Sequence, residues 1–320
     1  MLSLLLALPL AIALADSGRG EVRTDTLWSQ SLGVRKPVTV YLPPSYGTRP
    51  AARYPVAYWL HGLDGAQDDW VERGKLAETM DSLVARGAPE MIVVMPDGDD
   101  GWYTTWNRLI DVGACRRDRT RAEPAATYCV PWPHYDDYVA RDLVAWTDST
   151  FRTLAAPAHR GIGGLSMGGY GAVTLALNYP DVFSAAASHS GTLAPLLGVR
   201  RAGTTAPPAH PDIAQVARAW GDLWPRLAPA FGRDTMGWWA RDPGRLAERA
   251  RHRSSARLPR LFMDVGRDDP YADQTRAFHR TLLDLGIAHR YAEWPGAHDW
   301  KYWSGHLGES LEWMGKQIGR

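Results

Sequence analysis

Seven short apolar runs recur along the chain, separated by longer segments whose apolar residues fall three or four positions apart. VTVYLPP (38–44), PVAYWLHG (55–62), MIVVMPDG (91–98), HRGIGGLS (159–166), FSAAASHSG (183–191), RLFMDVG (260–266) and HRYAEWPG (289–296) read as strands, closed by Pro, Gly, Asp or Ser. Helical patterns are predicted at roughly 70–86, 135–154, 168–179, 271–286 and 299–317. Strands that alternate with helices predict an α/β fold: a mostly parallel sheet covered by helices on both faces. Ligands of such sheets bind at the carboxyl ends of the strands, so the residues just after each run are the ones to search for chemistry. Residues 192–258 break the rhythm with Pro, Gly and Arg clusters and four Trp, and are expected to be an insertion or cap rather than a second domain. No repeat, heptad or low-complexity linker marks a joint, so 16–320 is read as one domain.

Residues 2–15, LSLLLALPLAIALA, are apolar but too short for a comfortable membrane span, and they end in Ala13-Leu14-Ala15 before polar residues. That pattern predicts a signal peptide over 1–15 with cleavage after Ala15, although its start lacks the usual Lys or Arg. The mature chain is then expected to have no membrane span and to be secreted or periplasmic. An oxidising compartment makes a disulfide between the only two cysteines, Cys115 and Cys129, the expected state. Two isolated cysteines cannot complete a zinc site without histidines at ligand spacing.

The 320 residues carry 36 basic and 35 acidic side chains, a net charge of +1, which leaves no field to recruit nucleic acid or an anionic membrane. Neither is expected as a partner. The 15 Trp are the unusual entry in the composition, since Trp serves both core packing and sites that hold sugars or aromatic groups.

Gly164-Leu165-Ser166-Met167-Gly168-Gly169 follows one predicted strand and opens an Ala-rich helical segment. This is the strand–turn–helix setting of a nucleophile elbow, in which small neighbours let strand and helix approach closely enough to hold a serine Oγ in the open. A serine hydroxyl is a weak nucleophile and needs a base, which in turn needs a group to orient it. His298 stands in a Gly-rich turn after the last predicted strand, whereas His279 and His289 lie inside a helix and at a strand start, where structural roles are expected, and His306, within the last helix, is the rival for the base. The acid is sought among Asp264, Asp268 and Asp269 after the strand RLFMDVG. Asp264 lies within the strand and reads as a buried hydrogen-bonding residue, which leaves Asp269 preferred and Asp268 second. Two backbone N–H groups should meet the developing oxyanion. One is that of Met167, after the nucleophile. The other is assigned to Leu63 in the loop LHGLDG (60–65), where His61 is expected to shape the turn.

With these residues in place the chain resembles the putative-esterase (esterase D-like) family of α/β-hydrolases, which includes feruloyl and acetylxylan esterases, S-formylglutathione hydrolases and antigen 85-type mycolyltransferases. The likeness spans roughly 35–315 and rests on WLHGLDG (59–65), VVMPDG (93–98), YDDYVARDLVAWTDSTF (135–151), GLSMGGYGAVTLAL (164–177), FSAAASHSG (183–191), DVGRDD (264–269) and WPGAHDWKYW (294–303). The resemblance implies Ser166 as nucleophile, His298 as base and Asp269 as acid, with Leu63 and Met167 at the positions that match the family's oxyanion donors. It departs from the pattern at 107–133 and 192–258, both expected to border the site.

The expected function is that of an exported serine hydrolase of carboxylic esters, working through an acyl-enzyme on small-molecule or carbohydrate-linked esters and without a cofactor. An acyltransferase that uses the same triad to load a sugar or lipid hydroxyl is the alternative enzyme, and a non-catalytic binding module on a hydrolase fold is the alternative of another class. An export signal speaks against the cytoplasmic S-formylglutathione reaction. No metal is expected: Asp97-Gly98-Asp99-Asp100-Gly101 lacks the spacing of a calcium loop and reads as a polar turn, and Asp68-Asp69 read as a helix start. Trp102, Tyr103, Trp106 and Trp300 are the candidate substrate contacts. Trp238 and Trp239 are further aromatics in the insertion, while Trp303 is read mainly as packing.

Overall fold

A computed structural model of the chain describes residues 18–117, 124–199, 211–253 and 257–319. The proposed leader, residues 1–15, and its cleavage site lie outside the described residues. Eight strands form one sheet: β1 (Glu21–Ser29), β2 (Val34–Leu42), β3 (Val56–Leu60), β4 (Ile92–Pro96), β5 (Arg160–Leu165), β6 (Ala185–His189), β7 (Arg260–Gly266) and β8 (His289–Trp294). Their order is β1-β2-β4-β3-β5-β6-β7-β8. The first two strands pair antiparallel with each other, β2 pairs antiparallel with β4, and all pairs from β4 to β8 are parallel. This is the mostly parallel α/β sheet that the sequence predicts, and the segment between β6 and β7 interrupts the strand–helix alternation, as expected for 192–258.

The helices in chain order are α1 (Asp69–Glu72), α2 (Leu76–Ala85), α3 (Val112–Arg117), α4 (Tyr135–Asp137), α5 (Val144–Thr150), α6 (Met167–Asn178), α7 (Ile213–Trp220), α8 (Trp224–Phe231), α9 (Thr235–Ala240), α10 (Pro243–Arg251), α11 (Ala272–Asp284) and α12 (Trp300–Ile318). Strands β3, β4, β5 and β6 are buried along their whole length, and their side chains divide between the two faces of the sheet at period two. Val56, Tyr58 and Leu60 of β3 join a core on one face with α6 and the insertion, while Ala57 and Trp59 join a second core on the other face with α2 and α12.

Three boundaries depart from the sequence reading. The helix expected over 70–86 is broken between α1 and α2, where a side chain at Gly74 would come within 2.6 Å of the Trp70 carbonyl oxygen and Lys75 adopts φ 55°. Between α4 and α5, residues Tyr138–Leu143 wind as a π-helix. Strand β1 was not anticipated: it lies at the sheet edge and keeps only Leu27 and Ser29 buried, so EVRTDTLWS has no apolar alternation to announce it. Cys115 and Cys129 form a disulfide, closing the segment between α3 and the turn before α4.

Candidate active site

Ser166 caps the end of β5 at φ 51° and ψ −116°, a conformation an L-residue adopts only under strain. The surrounding glycines explain how the chain tolerates it. A side-chain carbon at Gly168 would lie 2.5 Å from the carbonyl oxygens of both Leu60 and His61, and one at Gly62 would lie 2.5 Å from Leu165 Cδ1 and 3.5 Å from Ser166 Cβ. Only glycine lets β5, α6 and the loop after β3 converge this closely.

Three strand ends then deliver the polar groups to one place. His298 Nε2 stands 2.9 Å from Ser166 Oγ, and His298 Nδ1 stands 2.9 Å from Asp269 Oδ2. Asp269 is completely buried, and its second oxygen accepts the Tyr271 backbone N–H at 2.8 Å. The loops that carry Asp269 and His298 abut so tightly that a side chain at Gly266 would meet the Gly296 carbonyl oxygen at 2.3 Å. Asp268, the second candidate acid, is exposed, and its backbone N–H bonds Gly296 instead. The imidazole is held from two further sides, by the ring of Tyr271 at 4.6 Å and by the edge-on ring of Trp303 at 4.9 Å. A hydroxyl paired to an imidazole that is itself anchored on a buried carboxylate can pass its proton to the ring as the oxygen attacks an electrophile.

Leu63 and Ser166 line the same cavity of about 690 Å³. Met167 is the first residue of α6, so its backbone N–H has no partner one turn earlier within that helix. His61, His279, His289, His306 and Asp264 all engage other protein groups. His61 is buried, with Nδ1 at 2.7 Å from the Gly62 carbonyl oxygen and Nε2 accepting the Gly98 N–H at 2.8 Å. His279 and His289 bond each other at 2.7 Å, and His306 stacks on Trp294. Asp264 is buried and accepts from Tyr302.

The aromatic candidates separate. Trp102 and Trp300 line the cavity, but Tyr103 and Trp106 are not among its lining residues. Tyr103 is buried beneath it, donating its hydroxyl to the His61 carbonyl at 3.1 Å, and Trp106 donates to Gly101. Trp238 is likewise core, stacked on Trp224. Trp303, read from the sequence mainly as packing, lines the cavity as well as donating to Ser190 Oγ at 3.1 Å. Sequence reasoning missed Trp220, Leu223, Leu227 and Tyr271, which supply apolar lining, and Asp69, Arg73 and Lys301, which supply charge. The insertion residues carried no local signal beyond their hydrophobicity. Asp69 opens α1 as expected while also facing the cavity.

The turn 97–101 forms after β4, but it is no solvated loop. Asp97 and Asp99 are buried and grip the equally buried Lys36 at 2.8 and 2.7 Å. Among the described residues, His134, Asp136 and Asp137 bring potential ligand atoms within 4.8 Å of one another. Thr105 and Arg141 already engage these carboxylates, at 2.6 and 3.0 Å, and none of the three lines the Ser166 cavity.

A family model described as "Putative esterase" matches residues 29–314. An acetyl esterase of Caldicellulosiruptor saccharolyticus is 26% identical over 262 residues, covering 81% of this chain and 82% of that protein. An esterase of Mycobacterium tuberculosis is 29% identical over 289 residues, which cover 84% of this chain and 54% of that protein, so the chain spans about half of that relative's length. A solved ferulic acid esterase aligns with a TM-score of 0.68 at 26% identity over 94% of this chain and 99% of that one.

Proposed function

The chain belongs to the putative-esterase family and is a carboxylic ester hydrolase, and from that premise we propose that Ser166, His298 and Asp269 are its catalytic triad, acting through an acyl-enzyme. The observation that carries this reading is the pair of 2.9 Å contacts linking Ser166 Oγ, the His298 ring and the buried Asp269 carboxylate at the edge of the cavity. Ser166 Oγ adds to the ester carbonyl while His298 Nε2 takes its proton. The backbone N–H groups of Leu63 and Met167 meet the oxyanion, and each such donor contributes on the order of 3 kcal/mol in a transition state of this kind. His298 then returns the proton to the leaving alkoxide, and a water molecule, deprotonated by the same ring, releases the acid.

The division of the cavity lining suggests how substrate sits. The insertion contributes Trp220, Leu223 and Leu227, an apolar wall beside Trp102 suited to an acyl chain or ring. The segments of α1 and α12 contribute Asp69, Arg73 and Lys301, a charged side suited to water and to the polar alcohol part of an ester. Trp300 is a poor platform for a sugar face, because the Arg73 guanidinium covers its ring at 4.9 Å and Trp70 and Trp303 pack against it edge-on. Export fits the leader-like residues 1–15 together with the Cys115–Cys129 disulfide.

Ser166→Ala tests the reading. It is expected to abolish turnover of p-nitrophenyl acetate and labelling by a fluorophosphonate probe while leaving the circular dichroism unchanged. Retained turnover in the folded variant would overturn it, and product analysis with added polyol would reveal transfer if an acylated polyol formed.

A further inference from the structure

The loop that carries Leu63 is shaped from outside. Residues 62–65 form a turn closed by the Gly65 N–H on the Gly62 carbonyl at 3.1 Å, and Asp64, directly after Leu63, sits at φ 61°. A left-handed non-glycine residue costs on the order of 1–2 kcal/mol, so something must hold it there. The Asp64 backbone N–H donates to Asp100 Oδ1 at 2.9 Å. Its carboxylate takes both terminal nitrogens of Arg226, at 2.7 and 2.5 Å, and the same guanidinium reaches Asp100 Oδ2 at 2.6 Å. One arginine thus ties the loop after β3 to the turn after β4.

Arg226 does not belong to either loop. It stands on α8 of the insertion, one residue before Leu227, which lines the cavity as does Leu223 just ahead of the helix. The helix that walls the pocket therefore also grips the residue next to the proposed oxyanion donor. Two parallel N–H···O bonds give a carboxylate–guanidinium pair directional stiffness that a single charge contact lacks.

We infer that Arg226 is a positioning residue for the ester hydrolysis proposed above: by clasping Asp64 and Asp100 it holds the Leu63 N–H aimed at the carbonyl oxygen that becomes the oxyanion when Ser166 attacks, so that the insertion sets reaction rate as well as substrate fit. This inference rests on the assignment of Leu63 as an oxyanion donor. Because the clasp is largely open to solvent, with side-chain exposures of 33% for Arg226, 70% for Asp64 and 21% for Asp100, salt should weaken it.

The test compares Arg226→Ala, Arg226→Lys and wild type on p-nitrophenyl acetate, whose acetyl group is too small to need the apolar wall. Arg226→Ala is expected to lower kcat about 10- to 100-fold with little change in KM, as misplacement of a transition-state donor does. Arg226→Lys should recover part of the loss. Wild-type kcat should fall between ionic strengths of about 0.01 and 1 M, with Arg226→Ala insensitive over the same range. A residue that merely packs α8 would instead raise KM for bulky esters and leave kcat and its salt dependence alone, and that result would overturn the inference. Amide hydrogen exchange over 62–65 reads the clasp without any substrate: faster exchange in a folded Arg226→Ala supports it, unchanged exchange refutes it. Absence of all esterase activity in the wild type would instead count against the proposed function, and exchange would still decide whether Arg226 orders the loop.

Discussion

The Tyr302 hydroxyl donates a 2.8 Å hydrogen bond to Asp264 Oδ1, joining the first turn of α12 to the middle of β7. The second Asp264 oxygen lies 2.8 Å from His189 Nδ1, and His189 Nε2 lies 2.7 Å from Ser310 Oγ, all of them buried. Burial first, and then the charge of Asp264, push the Tyr302 hydroxyl well above the ordinary phenol range, so it remains a donor. The start of α12 is where the chain leaves the His298 turn, so this buried set braces that turn from behind. Tyr302→Phe keeps the ring and strips a buried carboxylate of a donor. It is expected to cost about 1–3 kcal/mol in urea denaturation at neutral pH, and an unchanged midpoint would show that Asp264 does not depend on Tyr302.

The two adjacent acids should behave oppositely. Asp269→Asn keeps the shape but places an amide against His298 Nδ1, which selects the wrong tautomer, so kcat for p-nitrophenyl acetate should drop on the order of 10⁴-fold. Asp268→Asn, on an exposed residue, should leave the rate unchanged. Comparable losses in both variants would contradict the assignment of the acid.

Gly168→Ala should be among the most damaging single-methyl changes in the chain, since the new carbon would press on two carbonyl oxygens that cannot rotate away. A loss of at least about 1–3 kcal/mol in thermal unfolding is expected, with ester hydrolysis falling alongside it. Gly308→Ala, within α12 and with no atom nearer than 3.8 Å to the added carbon, is the contrasting case. It should gain about 0.5–1 kcal/mol from helix propensity.

Asp99 gives stability a definite pH dependence. Burial, then the neighbouring Asp97 charge, raise its carboxyl to about 6, against the pull of Lys36 and Tyr135. A carboxyl that holds its proton more tightly in the folded state stabilises the fold fully below its unfolded value near 4, and that contribution is lost as pH rises through about 6. The Tm of the wild type minus that of Asp99→Asn should therefore fall from pH 4 to pH 7. A constant difference across this window, measured by thermal scans, would mean that Asp99 is ionised throughout.

How much of this was legible follows from what kind of signal each feature leaves in the sequence. The central strands β3 to β6 announce themselves because both of their faces are buried, which favours apolar runs, and the elbow announces itself because its glycines are sterically obligatory around Ser166. His298 and Asp269 could be placed because strand ends are where a parallel sheet presents side chains. The edge strand β1 left no trace, since a strand paired on one side with one solvated face needs few apolar residues. The buried grip of Lys36 by Asp97 and Asp99 was equally silent, because a charge run looks the same whether water or an ammonium group neutralises it.

The sequence by itself determined the alternation of elements, the elbow around Ser166, the turn that carries His298 and a short choice of acidic partners for it, because each depends on local sterics or on chain order. Only the tertiary structure decided that Asp269 and not Asp268 reaches His298, that Trp102 and Trp300 face the cavity while Tyr103 and Trp106 do not, and that Arg226 meets Asp64 across 162 positions. Those outcomes rest on how loops from separate strand ends pack together. No periodicity or motif encodes the distance between residues so far apart in the chain.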